Sequence, residues 1–171
     1  MSFKFIEAKD INREQYLDYI AEWKRYGGTI VPASSDPKDE TFEQMLQKWS
    51  DEKSIAMYER GWVPATTYFL VDQQEKIYGS LNLRYELNDY LLKAGGHIGY
   101  GVRPTMRKKG YASMMLGQAL LICHEMKLKK VLITCDDDNI GSATTIEKCG
   151  GILENKVEDN QTIKRRYWIT L

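Results

Sequence analysis

The segment from Ile98 to Cys135 constrains the fold more than any other part of the sequence, because it predicts a strand, a long helix and a second strand in succession. The first strand, Ile98–Val102, ends before Pro104, since proline has no N–H to give to a ladder. Helical spacing of apolar residues begins after Gly110, and the β-branched run Val131–Cys135 then predicts a buried strand. A strand–helix–strand unit of this kind is expected to form a right-handed crossover.

The flanking segments complete a mixed α/β pattern. The other predicted strands are Phe3–Glu7, Thr66–Val71, Ile77–Leu83 and Ile163–Ile169, and the other predicted helices are Asn12–Tyr26, a helix that starts at Thr41, and Ala143–Cys149. Gln44 stands three residues after Thr41, which is a capping-box spacing. The polar link 72–76 favours a hairpin. The order β-α-α-β-β-β-α-β-α-β predicts an α/β (α+β) fold, in a single domain over residues 1–171.

Charge and hydropathy exclude several classes of protein. The 24 basic side chains balance the 24 acidic ones, whereas a dedicated DNA- or RNA-binding protein usually carries a basic surplus. No apolar run approaches the length that a bilayer crossing needs, and the first residues lack the apolar stretch of a secretory signal. The cysteines Cys123, Cys135 and Cys149 are an odd number, which favours free, buried thiols in a cytoplasmic protein. Neither a nucleic acid nor a membrane is therefore an expected partner.

The turn between the strand Ile98–Val102 and the long helix is strongly basic. Arg103, Arg107, Lys108 and Lys109 carry four positive charges with no acidic residue among them. A helix start leaves backbone N–H groups without partners, and the helix dipole adds partial positive charge at that end. On charge alone, a solvated basic turn is the simpler interpretation. The helix start and the small Gly110 beside it favour a site for a phosphate or pyrophosphate.

Two metal-site patterns fail because of the ligands they lack. The segment from Asp136 to Glu147 matches an EF-hand loop at its first, third, sixth and twelfth positions, but the fifth is Ile140, which offers no side-chain oxygen. The segment also follows a predicted strand, whereas an EF-hand loop follows a helix. The histidines and cysteines show none of the paired spacings of a zinc site. We therefore expect no bound metal.

Short motifs follow one another in a definite order from the central strand onward. Val102-x-Pro104 ends the strand, Arg107-x-x-Gly110-x-Ala112 opens the helix, and Asn139-x-x-Ser142 precedes Gly150-Gly151. In order and spacing, this segment resembles the coenzyme A-binding region of the GNAT acyltransferases. The runs 95–100 (Gly-Gly-His-Ile-Gly-Tyr) and 166–168 (Arg-Tyr-Trp) narrow the likeness to bacterial members. The resemblance implies a mostly antiparallel central sheet, splayed at the acyl-CoA site, with helices on both faces.

The resemblance also implies a substrate and the residues that bind it. Acetyl-CoA would be the acyl donor, and a primary amine would attack its thioester directly in a ternary complex. The residues assigned to the CoA are Tyr100, Gly101, Val102, Arg107, Lys108, Lys109, Gly110, Tyr111, Ala112, Ser113, Asn139 and Ser142. The unidentified amine would enter between the two early helices and the last strand. The resemblance is also compatible with a homodimer.

The groups that move protons are less clearly marked. Many members of the family carry a tyrosine, as acid for the leaving thiolate, where this chain has Ile146, and an aromatic residue where it has Gly151. Candidates for the general base are His97, Glu86 and Asp136, the last within an acidic run, 136–138, that we expect near the entering amine. Because isoleucine cannot donate a proton, an alternative function is a non-catalytic acyl-CoA-binding module or sensor.

Overall fold

The computed structural model describes residues 2–171 and contains one seven-stranded sheet in the order β1-β2-β3-β4-β5-β7-β6. The strands are β1 (Lys4–Glu7), β2 (Ala65–Val71), β3 (Ile77–Arg84), β4 (Ile98–Val102), β5 (Lys130–Asp136), β6 (Ile152–Asp159) and β7 (Thr162–Thr170). The helices are α1 (Arg13–Tyr26), α2 (Phe42–Asp51), α3 (Tyr111–Glu125) and α4 (Ile140–Lys148). Neighbouring strands are antiparallel except β4 and β5, which are parallel. The predicted fold class is therefore confirmed.

The helix starts follow from local capping chemistry. The Asn12 side chain accepts hydrogen bonds from the backbone N–H groups of the first turn of α1. Thr41 and Gln44 form the predicted capping box at the start of α2, since each side chain accepts from the other's backbone N–H. Both contacts satisfy N–H groups that a helix leaves without partners.

One strand was missed by the sequence prediction. Strand β6 pairs with β7 at the edge of the sheet, and its side chains are mostly exposed, with Ile152 74% accessible. The alternation of apolar and polar residues that marks a half-buried strand is therefore absent. The hairpin turn at Asn160 and Gln161 has positive φ at both residues (45° and 69°) but contains no glycine, so the usual signal for such a turn is also missing.

Two apolar clusters lie on opposite faces of the sheet and position the helices. One cluster contains Met115 and Leu116 of α3, Ile146 of α4, and the strand residues Leu81 and Ile98. The other contains the aromatic residues Tyr16, Tyr19, Trp23, Trp49 and Phe69, from α1, α2 and β2. Helices thus cover both faces of the sheet. Within residues 2–171, every helix is too short or too polar to cross a lipid bilayer.

Strands β4 and β5 meet at a single residue pair, Ile98 opposite Ile133. His97 strengthens this junction, since its backbone N–H donates to the Leu132 carbonyl (2.7 Å) and its Nδ1 accepts from the Leu132 N–H (2.9 Å). Beyond Ile98 the two strands have no further ladder pairing. The sheet is therefore open along the second half of β4.

Candidate functional site

The backbone of β4 presents polar groups to the opening between β4 and β5. The bonds from Arg84 N to His97 O (2.8 Å) and from Arg103 N to Tyr78 O (2.9 Å) fix which β4 residues bond to β3. Because antiparallel bonding alternates, the intervening Tyr100 and Val102 direct their N–H and C=O groups away from β3 and into the opening. A ligand with amide groups can pair with them as an additional strand would.

The start of α3 lies at the same opening. Gly110 is in the left-handed region (φ 87°), and no side chain caps the helix. The first hydrogen bond of α3 joins Met114 N to Gly110 O (3.1 Å). The N–H groups of Tyr111, Ala112 and Ser113 precede that bond, so they remain available to an anion at the positive end of the helix dipole.

These two features border one cleft of about 660 Å³. Its lining includes every predicted CoA-binding residue except Lys109, whose Nζ lies instead 3.2 Å from the Thr105 carbonyl oxygen. The cleft also has lining residues that were not assigned to CoA, namely Trp23, Val31, Met106, Ile140, Gly141, Thr144, Thr145 and Lys148. Those in α4 extend the surface to both sides of Ser142 along the helix. Trp23 lies in one of the two early helices expected beside the amine, whereas nothing in the sequence links Val31 to this region.

The basic turn differs from the sequence prediction in the role of Arg103. This side chain is buried, and its Nε and Nη2 lie 2.6 Å from carboxylate oxygens of Glu22 and Asp18. The expectation of four free positive charges is therefore wrong, because Arg103 is neutralised by helix α1. Arg107 and Lys108 do line the cleft, and the Arg107 guanidinium lies 4.9 Å from the centre of the Trp23 ring.

The loop between α1 and α2 packs against β4 on the face where a side chain of residue 101 would project. The Val31 carbonyl oxygen lies so close to Gly101 that a Cβ on that residue would be 2.1 Å from it. Trp49 of α2 anchors the same loop through a hydrogen bond to the Ser34 carbonyl (2.9 Å). Only glycine is compatible with this approach at position 101, so the loop and β4 form one wall of the cleft.

Tyr100 connects β4 with α4. Its hydroxyl oxygen lies 2.8 Å from Ser142 Oγ, and the Ser142 N–H donates to Asn139 Oδ1 (3.1 Å). Burial is the main cause that raises the pKa of Tyr100 to about 12. The phenol therefore keeps its proton at neutral pH and faces a cleft that Asn139 and Ser142 also line.

None of the three candidate bases lines the cleft. His97 is buried in the β4–β5 junction, and burial lowers its pKa to about 4, which suits a structural acceptor better than a base. Glu86 is exposed and accepts a hydrogen bond from the Tyr58 hydroxyl. Asp136 forms an ion pair with Lys164. The structure thus brings the predicted CoA-binding residues together but leaves the base candidates outside that group.

The acidic run 136–138 at the end of β5 forms ion pairs through its first two residues. In addition to the pair between Asp136 and Lys164, Asp137 Oδ1 lies 2.7 Å from both Arg165 Nε and Lys156 Nζ. The expectation of an acidic entrance for a cationic amine is therefore corrected, because β6 and β7 supply cations that sequence distance concealed.

The two departures from the family pattern are packed against each other. Ile146 is fully buried, and a Cβ on Gly151 would lie 2.5 Å from Ile146 Cγ2. A large side chain at position 151 has no room while Ile146 is in place. Position 146 thus belongs to the apolar core and contributes no polar group to the cleft.

Among residues 2–171, no group of three or more histidine, cysteine, aspartate or glutamate side chains is arranged to hold a metal ion. Two of the residues that could bind a metal have other contacts, since His97 bonds at the strand junction and Cys123 is buried in the core.

Comparison with known proteins agrees with this geometry. Residues 6–152 match the family model described as acetyltransferase (GNAT) domain. A structure of spermidine/spermine N-acetyltransferase SpeG from Vibrio cholerae is similar, with a TM-score of 0.64 and 16% identity over 99% of this chain and 95% of that chain. Ribosomal-protein-S5-alanine acetyltransferase from Vibrio fischeri gives a TM-score of 0.69 and 13% identity over 98% and 91%. No curated protein sequence is significantly similar to this chain.

The open strand junction, the uncapped helix start and the family match define one class of protein. The chain belongs to the GNAT acetyltransferase family. Its similarity to the two solved structures extends over nearly the whole chain. Because the sequence identities are low, this similarity concerns the fold alone.

Proposed function

We propose that this protein is an acetyl-CoA-dependent N-acetyltransferase that transfers the acetyl group to a primary amine by direct attack in a ternary complex. The observation that carries the proposal is the cleft in which the opening beside β4 and the free N–H groups of α3 meet. An anion suits the helix start, and a chain of amides suits the strand edge. Acyl-CoA contains both groups in one molecule, so the residues present fit it.

Each part of the cleft has a separate task in this proposal. The N–H groups of Tyr111–Ser113, with Arg107 and Lys108 nearby, bind the pyrophosphate. The backbone of Tyr100 and Val102 orients the pantetheine arm, and the Val102 N–H stabilises the charge that develops on the thioester oxygen. Asn139 uses its Oδ1 to cap α4 and keeps its Nδ2 as a donor toward the cleft. The amine reacts in its neutral form and loses its proton to water, since His97, Glu86 and Asp136 lie outside the cleft lining.

Binding of acetyl-CoA is tested by calorimetry and thermal unfolding of the wild-type protein and two variants. Gly110→Glu places a bulky anion at the pyrophosphate site, and we expect it to abolish binding. Gly61→Glu is the matched control, because Gly61 also has positive φ (74°) and open space around it but does not line the cleft. Failure of the wild-type protein to bind acetyl-CoA, or equal loss in both variants, contradicts the proposal.

Turnover is tested by thiol release from acetyl-CoA with a panel of amines. The panel includes spermidine and peptides with N-terminal alanine, the acceptors that the names of the two similar structures suggest. We expect release with at least one acceptor and an acetylated product in the mass spectrum. Binding of acetyl-CoA without release across the panel would instead support the non-catalytic module.

A further inference from the structure

Transfer of the acetyl group leaves a thiolate on CoA, and the helix position that often supplies its proton is apolar in this chain. Ile146 is fully buried and packs against Gly151, so the side chain at this position faces the core. The following inference rests on the proposed function, and it concerns which group of this chain protonates the sulfur.

Tyr100 reaches α4 from the neighbouring strand. Its hydroxyl lies 2.8 Å from Ser142 Oγ and 3.4 Å from the Ser142 carbonyl oxygen. Ser142 precedes Ile146 by four residues, which is about one turn of the same helix face. The Tyr100 hydroxyl therefore lies beside the first turn of α4, one turn from position 146, between two residues that both line the cleft, Tyr100 and Ser142.

The surroundings of Tyr100 keep the hydroxyl protonated and oriented. Burial raises the pKa of Tyr100 to about 12, and the groups around the phenol are Ser142, Thr145, Cys135 and Cys149. None of these neighbours carries a charge at neutral pH, so the proton stays on the phenol until a stronger acceptor arrives. A thiolate released in the cleft accepts a stronger, charge-assisted hydrogen bond than these neutral groups do, and the proton passes to sulfur as Ser142 returns one from water to the phenol.

We propose that the Tyr100 hydroxyl, held by Ser142, is the proton donor to the departing CoA sulfur. The amine nitrogen forms a bond to the acyl carbon, the carbon–sulfur bond breaks, and its electron pair goes to sulfur. Sulfur then takes the proton of the Tyr100 hydroxyl. The nitrogen loses one proton to water, and the tyrosinate regains one from water by way of Ser142, so no charge or proton is left over.

The first test compares Tyr100→Phe with Tyr167→Phe. Tyr167 is a buried tyrosine on β7 whose hydroxyl also bonds to α4, at Glu147 Oε1 (2.8 Å), but it does not line the cleft. We expect Tyr100→Phe to lower kcat by about 10²-fold, the lower end for loss of a general acid, with unchanged affinity for acetyl-CoA. Tyr167→Phe should lose stability without that loss of kcat.

The second test needs no turnover. A thiolate accepts a stronger hydrogen bond than a thioester, and an ordinary thiol ionises at about pH 8.5. The wild-type protein should therefore bind free CoA more tightly, relative to acetyl-CoA, as the pH rises from about 7 to about 9.5. Tyr100→Phe should remove this pH response, which a purely structural tyrosine would not affect.

The outcomes separate this inference from the proposed function. If the wild-type protein releases no thiol with any amine, the proposed function fails. If the wild-type protein is active but Tyr100→Phe keeps its kcat and its pH response, only the role of Tyr100 fails. A loss of kcat in Ser142→Ala with no loss in Tyr100→Phe overturns the inference and assigns the donor to Ser142.

Discussion

Arg103 Nε lies 2.6 Å from Glu22 Oε2 in a buried ion pair that joins the turn before α3 to helix α1. The other oxygen of the same carboxylate accepts from the Thr105 N–H (3.0 Å) and the Thr105 hydroxyl (2.8 Å). One acidic side chain of α1 thus fixes the turn that leads to the uncapped helix start. The position of the proposed pyrophosphate site depends on a residue more than eighty positions earlier in the chain.

Replacing Glu22 should therefore destabilise the whole protein. Glu22→Gln leaves the buried Arg103 with only the partly exposed Asp18 as a charged partner, and breaking a buried pair costs about 3–5 kcal/mol. We expect a loss of about 3 kcal/mol in urea unfolding, because Asp18 remains. Asp18→Asn is the control and should cost at most about 1 kcal/mol, since that carboxylate is largely exposed. Equal effects of the two variants would contradict the central role of Glu22.

The same carboxylate should set an acid limit on stability. Burial alone would raise the pKa of Glu22, but hydrogen bonds from Thr105 and Arg103 hold this pKa below its ordinary value. A lowered pKa in the folded state stabilises the protein above the ordinary pKa, and that contribution is lost as the pH falls through the lowered value. The free energy of unfolding should drop below about pH 4 in the wild-type protein, and less steeply in Glu22→Gln.

Glu52 should produce the opposite pH dependence. Burial raises its pKa to about 7, although Thr67 donates to it through both its N–H and its hydroxyl. A raised pKa means that the folded protein binds the proton more tightly than the unfolded chain does. The resulting stabilisation is complete below the ordinary pKa of a glutamate and is lost as the pH rises toward about 7. We expect Glu52→Gln to flatten this slope and to gain stability at pH 8, by up to about 3 kcal/mol. An unchanged slope in urea titrations from pH 5 to pH 8 would show that Glu52 ionises normally.

His97 should be replaceable by a residue that keeps its hydrogen-bond acceptor. In His97→Asn, the amide oxygen can accept from the Leu132 N–H in place of Nδ1. In His97→Leu, that buried N–H loses its partner, at a cost of about 1–3 kcal/mol. We expect Asn to retain stability and transferase activity, measured by urea unfolding and thiol release. Loss of activity in a stable His97→Asn protein would restore His97 as a candidate base.

Ile146→Tyr should not supply an acid. The site is enclosed by the core and by Gly151, and overpacking of such a site costs about 1–3 kcal/mol. Ile146→Val, which only removes a methylene group, should cost about 0.5–1.5 kcal/mol. We expect Ile146→Tyr to have reduced stability, measured by thermal unfolding, and no gain in kcat, measured by steady-state kinetics.

The sequence predicted those features that depend on neighbouring residues. The capping boundaries of α1 and α2, the hairpin between β2 and β3, and the strand–helix–strand unit all rest on contacts within short segments. The residues assigned to CoA were predictable as a group lining one cleft, because they lie around one turn and one helix cap, at 100–113 and 139–142. Family resemblance added acyl-CoA as their proposed ligand.

Features that depend on distant residues were not predictable. The charges of Arg103 and Asp137 look free in the sequence, because their partners Glu22, Lys156 and Arg165 are far away along the chain. The approach of the Val31 carbonyl to Gly101 leaves no pattern in either segment. Strand β6 was not predicted, because an exposed edge strand need not alternate apolar and polar residues.

The single ladder pair between Ile98 and Ile133 divides the sheet into a four-stranded and a three-stranded half. A molecule in the cleft touches β4 in one half and the α4 segment that follows β5, so it ties the halves together where the backbone does not. Binding of such a molecule should therefore restrict the motion of the two halves of the sheet relative to each other. Amide hydrogen exchange in β4 and β5 should slow on binding even at residues that the ligand never contacts.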